Sequence, residues 1–169
     1  MKILETERLI LREIVESDDE FMLDLLNQPS FIKYIGDRNV RNLEQSREFI
    51  ENRYRASYLD NGYGLYAVEL KEDQTAIGIC GFVKRNTLPD ADIGFAFLPQ
   101  FEKKGYAFES ASAVMEYGRE TLGLNRILAI TSVDNESSGR LLEKLGFKLD
   151  GLITLPNDTE EIKLFSSDS

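Results

Sequence analysis

A short apolar stretch, Ala91 to Leu98, is followed by a helical stripe from Gly105 to Leu122 and then by a second apolar run, Ile127-Leu128-Ala129-Ile130. Strand, helix, strand in that order implies a crossover, and with it at least one parallel strand pair within a mixed α/β sheet. The helix is read from Ala107, Ala111, Val114, Met115, Gly118 and Leu122, which share one face, with Gly123 placed to end it. The run from Ile127 is too short for a typical helix and reads as a buried strand.

The remaining elements are arranged around this unit. Arg8 to Arg12 is predicted to be a strand bounded by charge. Ser17-Asp18-Asp19-Glu20 has the form of a capping box and predicts a solvated helix start, with Phe21, Leu25 and Leu26 turned inward. Asn42 to Leu59 is a second helical region with Leu43, Ile50, Tyr54 and Tyr58 in its stripe, ended by Asn61-Gly62. Gly64–Leu70 and Ala76–Val83 form a hairpin across the polar turn Lys71-Glu72-Asp73-Gln74. Ser137 to Leu145 is a short helix ended by Gly146. Phe147–Thr154 and Glu160–Phe165 close the chain as a strand pair around Pro156-Asn157-Asp158, with Ser166 to Ser169 as a tail. The length of 169 residues suits a single domain over 1–169.

Composition removes several chemistries. There is no histidine, which excludes His-based triads and His-ligated metal sites, so no metal is expected. Cys80 is the only cysteine. It allows no internal disulfide, fits a reducing cytoplasm, and on its predicted strand reads as a core residue. The net charge of −10 disfavours nucleic acid and favours cationic partners. No apolar run approaches the roughly 20 residues that span a bilayer, and the first ten residues lack the apolar core of a secretory signal, so no membrane association is expected.

Two segments carry chemistry. In DIGFAFLPQFEKKGYA, Asp92 to Ala107, a strand runs through a polar loop into a helix start, where unpaired N–H groups make an anion site and Lys103 and Lys104 add charge. It matches neither a Walker A loop nor a dinucleotide fingerprint, and an ordinary helix start with two solvated lysines is an equal reading. Asn135-Glu136-Ser137-Ser138 follows a buried strand, a common ligand position in α/β sheets; alone, it reads first as a helix N-cap by Asn135.

With the opening TERLILR and the later Lys144-Leu145-Gly146-Phe147, these segments resemble the GNAT superfamily of acetyl-CoA-dependent N-acetyltransferases, nearest the ribosomal-protein N-terminal branch. The resemblance implies a mostly antiparallel sheet splayed at a parallel strand pair and flanked by helices. It also implies acetyl-CoA as cosubstrate. The pyrophosphate would lie on Lys103, Lys104, Gly105, Tyr106 and Ala107, the pantetheine arm along Phe95 and Phe97, and Asn135 would hold it from the other side. Asp92 is the implied base, with a solvent-facing bystander as the alternative, and Ser138 the implied partner of the departing thiolate. Many relatives place a tyrosine where this chain has Leu142. Lys103 stands where the family loop has its first glycine.

The implied acceptor is a primary amine, first a ribosomal or other protein N-terminus and second a polyamine or small amine, in a cytoplasmic monomer or homodimer. A noncatalytic acyl-CoA-binding module is the rival. The aromatic series Phe31, Tyr34, Tyr54, Tyr58, Tyr63 and Tyr66 reads mainly as core, with a substrate mouth as the alternative.

Overall fold

The computed structural model describes residues 1–156 and 158–168. Its strands are β1 (Lys2–Glu5), β2 (Leu9–Glu13), β3 (Leu65–Leu70), β4 (Ala76–Val83), β5 (Asp92–Phe97), β6 (Arg126–Ser132), β7 (Lys148–Ile153) and β8 (Ile162–Asp168). They form one sheet in the order β1-β2-β3-β4-β5-β6-β8-β7. Every neighbouring pair is antiparallel except β5 and β6, whose crossover is the helix α5 (Tyr106–Glu120). The expected mixed sheet with its single parallel pair is therefore present among the described residues.

Alternation along the strands divides the core into two clusters. Leu9, Leu11, Val68, Cys80, Phe82, Ile93 and Phe97 pack against Ala111, Val114 and Met115 of α5. Ala67 and Ile79 face the other way, onto α1 (Asp19–Leu26), α2 (Pro29–Tyr34) and the region after α3 (Leu43–Phe49). The α5 stripe is set close to β4 by Gly118. A Cβ there would come within 2.5 Å of the Phe82 ring, so only glycine lets the helix lie so near the sheet.

Several expectations are corrected. β1 was not foreseen, and neither was α2, which starts at Pro29. The Ser17 capping box does not form. Asp18 instead turns inward, accepts from the Val15 N–H at 2.8 Å, and takes two hydrogen bonds from the Arg12 guanidinium at 2.9 Å. That leaves Met22 rather than Phe21 beside Leu25 and Leu26 in the core. The region from Asn42 is broken by a π-helical stretch, Ile50–Arg55, before α4 (Ala56–Asn61). A wider turn rotates the preceding residues relative to a 3.6-residue stripe, so Leu43 is exposed while Ile50 and Tyr54 stay buried. The predicted tail at Ser166 is strand, because β8 runs on to Asp168 against β6. Asn157 of the predicted turn and Ser169 of the tail lie outside the described residues.

Candidate active site

β5 and β6 share one registered pair, Asp92 with Leu128, closed by the Leu128 N–H donating to the Ala91 carbonyl at 2.9 Å. On its other side β5 is paired to β4 along its whole length, from Val83↔Asp92 to Gly78↔Phe97. Beyond Asp92 the two parallel strands part, and the β5 backbone through Phe95 and Phe97 presents an unpaired edge to the gap. Both strands end at the open side of this V, and both lead there into helix starts.

The first is the start of α5. Leu98 leads through a short 3₁₀ turn, Pro99–Phe101, to Gly105, which occupies the N-cap position in a left-handed conformation (φ 85°) and offers no side chain to the first turn. The leading N–H groups of α5 are thus uncapped. Lys103 is left-handed too, at φ 62°. It holds a left-handed backbone shape that glycine adopts freely, at a cost of about 1–2 kcal/mol. Lys103 and Lys104 are exposed, and neither makes an ion pair among the described residues.

Arg8 braces this loop, a role not legible in the sequence. Its Nε donates to Glu109 Oε1 at 2.7 Å, its backbone N–H to Glu109 Oε2 at 3.0 Å, and its guanidinium to the Lys104 carbonyl at 3.1 Å. The same guanidinium lies 4.4 Å from the centre of the Tyr106 ring. Burial raises the Glu109 pKa, but hydrogen bonds from Thr6 and Arg8 outweigh it and hold the carboxyl below its ordinary value. The acidic residue in the first turn of α5 is therefore committed to the N-terminal strand segment. The residues separated by about a hundred positions meet only in the fold, which is why TERLILR gave no such signal.

The second is the start of α6 (Glu136–Lys144). Asn135 Oδ1 accepts from the Ser138 N–H at 3.3 Å, so the N-cap reading of Asn135 holds. The Ser138 hydroxyl has no hydrogen bond among the described residues. Leu142 is fully buried in the core under α6.

Asp92 does not face solvent. Only 1% of it is exposed, and Oδ1 pairs with Arg85 Nε at 3.1 Å while Oδ2 is buried without a partner. Burial pushes its pKa up to about 6, with the Arg85 charge opposing that rise. By alternation Asp92, Gly94 and Ala96 lie on the face covered by the N-terminal helices, and Ile93, Phe95 and Phe97 on the α5 face. Ser132 shares the face of Asp92, and its hydroxyl, like that of Thr131, is also buried and unpartnered. Buried polar atoms without partners are rare and mark a place where a ligand or water completes the set.

The fold brings Lys103, Lys104, Gly105, Tyr106, Ala107, Asn135 and Ser138 to the open end of the V. It does not bring Asp92 beside Ser138. Four strand residues, about 13 Å at 3.3 Å each, separate the level of Leu128 from that of Ser132. Of the aromatic series, Phe31, Tyr54 and Tyr66 are core, and Tyr58 bridges Ile14 and Leu65 through its hydroxyl. Tyr63 is the one placed near the carboxylate: burial, and then the charge of Asp92, raise its pKa. Cys80 is buried with its thiol pushed up to about 12, a core residue as expected.

The acetyltransferase (GNAT) domain family matches residues 8–148. A curated relative, the uncharacterized N-acetyltransferase YoaA of Bacillus subtilis, is 35% identical over 152 residues, covering 89% of this chain and 85% of its own. Among solved structures, the ribosomal L7/L12 α-N-protein acetyltransferase RimL in complex with coenzyme A superposes with a TM-score of 0.85 at 19% identity, over 99% of this chain and 98% of that one. The spermidine N-acetyltransferase of Vibrio cholerae, bound to coenzyme A and spermine, gives 0.79 at 20% identity over 96% of both chains.

Proposed function

The chain belongs to the GNAT acetyltransferase family and is an acetyl-CoA-dependent N-acetyltransferase, and from that premise we propose that it acetylates free α-amines, those of protein N-termini first. Coenzyme A fits the residues present on three counts: an uncapped helix start, two unpaired lysines beside it, and an open strand edge at Phe95 and Phe97. Lys103, Lys104 and the N–H groups of Tyr106 and Ala107 hold the phosphates. The β5 edge and the amide of Asn135 hold the arm, which supplies the acetyl thioester to the open V.

The observation that carries the choice of acceptor is the buried Asp92 carboxylate with its unpartnered oxygen and a pKa of about 6. An α-amine, near 7.7–8, loses its proton to such a base at a cost of about 2.5 kcal/mol; a lysine-like amine near 10.4 costs about 6. The base works through water, since it sits below the open end of the V, and Ser132 offers a hydroxyl on the same face. The amine attacks directly, and Ser138 at the α6 start donates to the departing sulfur. A second reading, a polyamine acceptor, is favoured by the net charge of −10. The reading of one domain is supported by a single sheet with a core cluster on each face among the described residues, and that of a reducing cytoplasm by a cysteine that has no partner for a disulfide.

The test is turnover of peptides with free or blocked N-termini and of spermidine, from about pH 5 to 9.5. Asp92 is ionised above about pH 6, so the wild-type enzyme gains activity through that value and again through the amine's own pKa. Asp92→Asn keeps only the second rise: its deficit is largest between about pH 6 and 8 and closes near 9.5. Ser138→Ala lowers kcat by about 10²-fold at every pH. A deficit in Asp92→Asn that does not vary with pH makes Asp92 a positioning residue, and acetylation confined to spermidine removes the α-amine reading.

A further inference from the structure

Arg38 lies in the segment between α2 and α3, half buried, and makes no hydrogen bond or ion pair among the described residues. That sets it apart from Arg12, Arg41, Arg47, Arg55 and Arg85, each of which holds a carboxylate. Arg53, on the π-helical stretch, is exposed and makes no ion pair among the described residues; its guanidinium lies 5.7 Å from the centre of the Phe49 ring. The two arginines share a surface groove of about 380 Å³ with Asn39, Phe49 and Asn52, and with Glu48 exposed at its rim and paired to neither. Arg38 is within electrostatic reach of Arg85, the residue that grips Asp92. The groove therefore lies on the side of the sheet covered by the N-terminal helices, with Arg38 feeling the charge of the arginine that holds the proposed base.

Like charges gathered here are not a background property of a chain whose net charge is −10. Burial, and then repulsion from Arg53 and Arg85, weaken the hold of Arg38 on its proton. A half-buried guanidinium without an acceptor is costly, and a carboxylate placed on it relieves both the desolvation and the repulsion. A polyamine placed there meets two guanidinium groups of its own sign.

We infer that the acceptor is an anionic amine, one that carries carboxylate groups near its free α-amine and seats them on Arg38 and Arg53. This rests on the N-acetyltransferase reading and narrows its acceptor. The chemistry is shared by an acidic protein N-terminus and by a free amino dicarboxylate. The length of the groove, from Asn39 along the helical region to Arg53, favours the extended chain.

The test compares four acceptors with acetyl-CoA: a hexapeptide beginning Ser-Asp-Glu, its Ser-Asn-Gln counterpart, L-glutamate and spermidine. The acidic hexapeptide is expected to exceed its neutral counterpart by about tenfold in kcat/KM, through KM. In Arg38→Gln,Arg53→Gln that ratio falls to about one while the KM for acetyl-CoA holds. Glutamate matching the acidic hexapeptide also supports the inference and identifies the small source. Equal use of both hexapeptides by the wild-type enzyme overturns it, as does a preference for spermidine. A parallel anisotropy titration of the labelled acidic hexapeptide, in the presence of coenzyme A, decides the matter even where no acceptor turns over. Absence of acetylation with all four acceptors counts against the α-amine reading. Binding of the hexapeptide that the double variant loses still upholds the anionic site, and no binding overturns it.

Discussion

The starts of α5 and α6 stand at the same open end of one strand pair and are built in opposite ways. α6 satisfies itself: Asn135 Oδ1 takes the Ser138 N–H, as an N-cap residue should. α5 does not: Gly105 has no side chain to give, and the one carboxylate in its first turn, Glu109, is drawn back to Thr6 and Arg8. A helix start left uncapped, with two unpaired lysines beside it, has donors to spare for an anion. A capped one has one donor fewer to give and offers side chains as well, here the Asn135 amide and the Ser138 hydroxyl. The contrast is what supports the proposed placement of the phosphates at α5 and of the arm and sulfur at α6.

The difference breaks most sharply at Gly105. Gly105→Asp puts a carboxylate where the phosphates are to lie, and like charges at about 4–5 Å in a partly screened site cost several kcal/mol. Acetyl-CoA affinity should fall by about 100-fold or more. Gly105→Asn carries the same shape and tolerates the left-handed φ comparably, so it isolates the charge. Calorimetric titration of both reads the gap. Equal affinities would mean that the α5 start is not the phosphate site.

At α6 the smaller effect divides into two parts. Asn135→Ala removes the cap and the amide together, at a cost of about 0.5–1 kcal/mol in stability, the low end because the 3.3 Å bond is long. It also raises the KM for acetyl-CoA more than it lowers kcat. Asn135→Asp keeps a capping oxygen, removes the amide donor and adds a negative charge that the helix start favours, so its thermal midpoint should hold or rise while its KM rises. If the midpoint holds or rises and KM does not move, Asn135 is a cap and nothing more.

How much of this was legible follows from distance along the chain. The α5 stripe, the β3–β4 hairpin and the α6 cap depend on residues within a few positions of one another, and the sequence pattern carries them. Arg8 on Glu109 is settled by how α5 packs on the N-terminal strands, and Arg85 on Asp92 by how the connection between β4 and β5 closes. The burial of Asp92, and with it the raised pKa, could not be read from a residue type that is usually exposed. β1 and α2 escaped for a local reason: four residues with exposed ends and a six-residue helix carry too little periodicity to stand out. The π-helical turn escaped because a stripe drawn at 3.6 residues assumes its absence.

The smallest expected effect lies at Lys103 and separates charge from shape. Lys103 pays for a left-handed conformation, about 1–2 kcal/mol for a residue with a Cβ. Lys103→Gly removes that penalty and adds about 0.5–1 kcal/mol of unfolded-chain entropy, leaving a net gain of about 0.5–1 kcal/mol. In a chain of this size that is a rise of roughly 1–4 °C in thermal midpoint. Lys103→Ala keeps the strained backbone and should show no such rise. Both variants lose the same positive charge, so if that charge meets a phosphate, both should bind coenzyme A a few fold more weakly at low salt and converge on the wild-type protein as salt screens the interaction. Wild-type affinity in Lys103→Gly at low salt, together with its gain in midpoint, would show that the loop needs only the backbone turn. The uncapped start of α5 would then bind its anion with N–H groups and Lys104 alone.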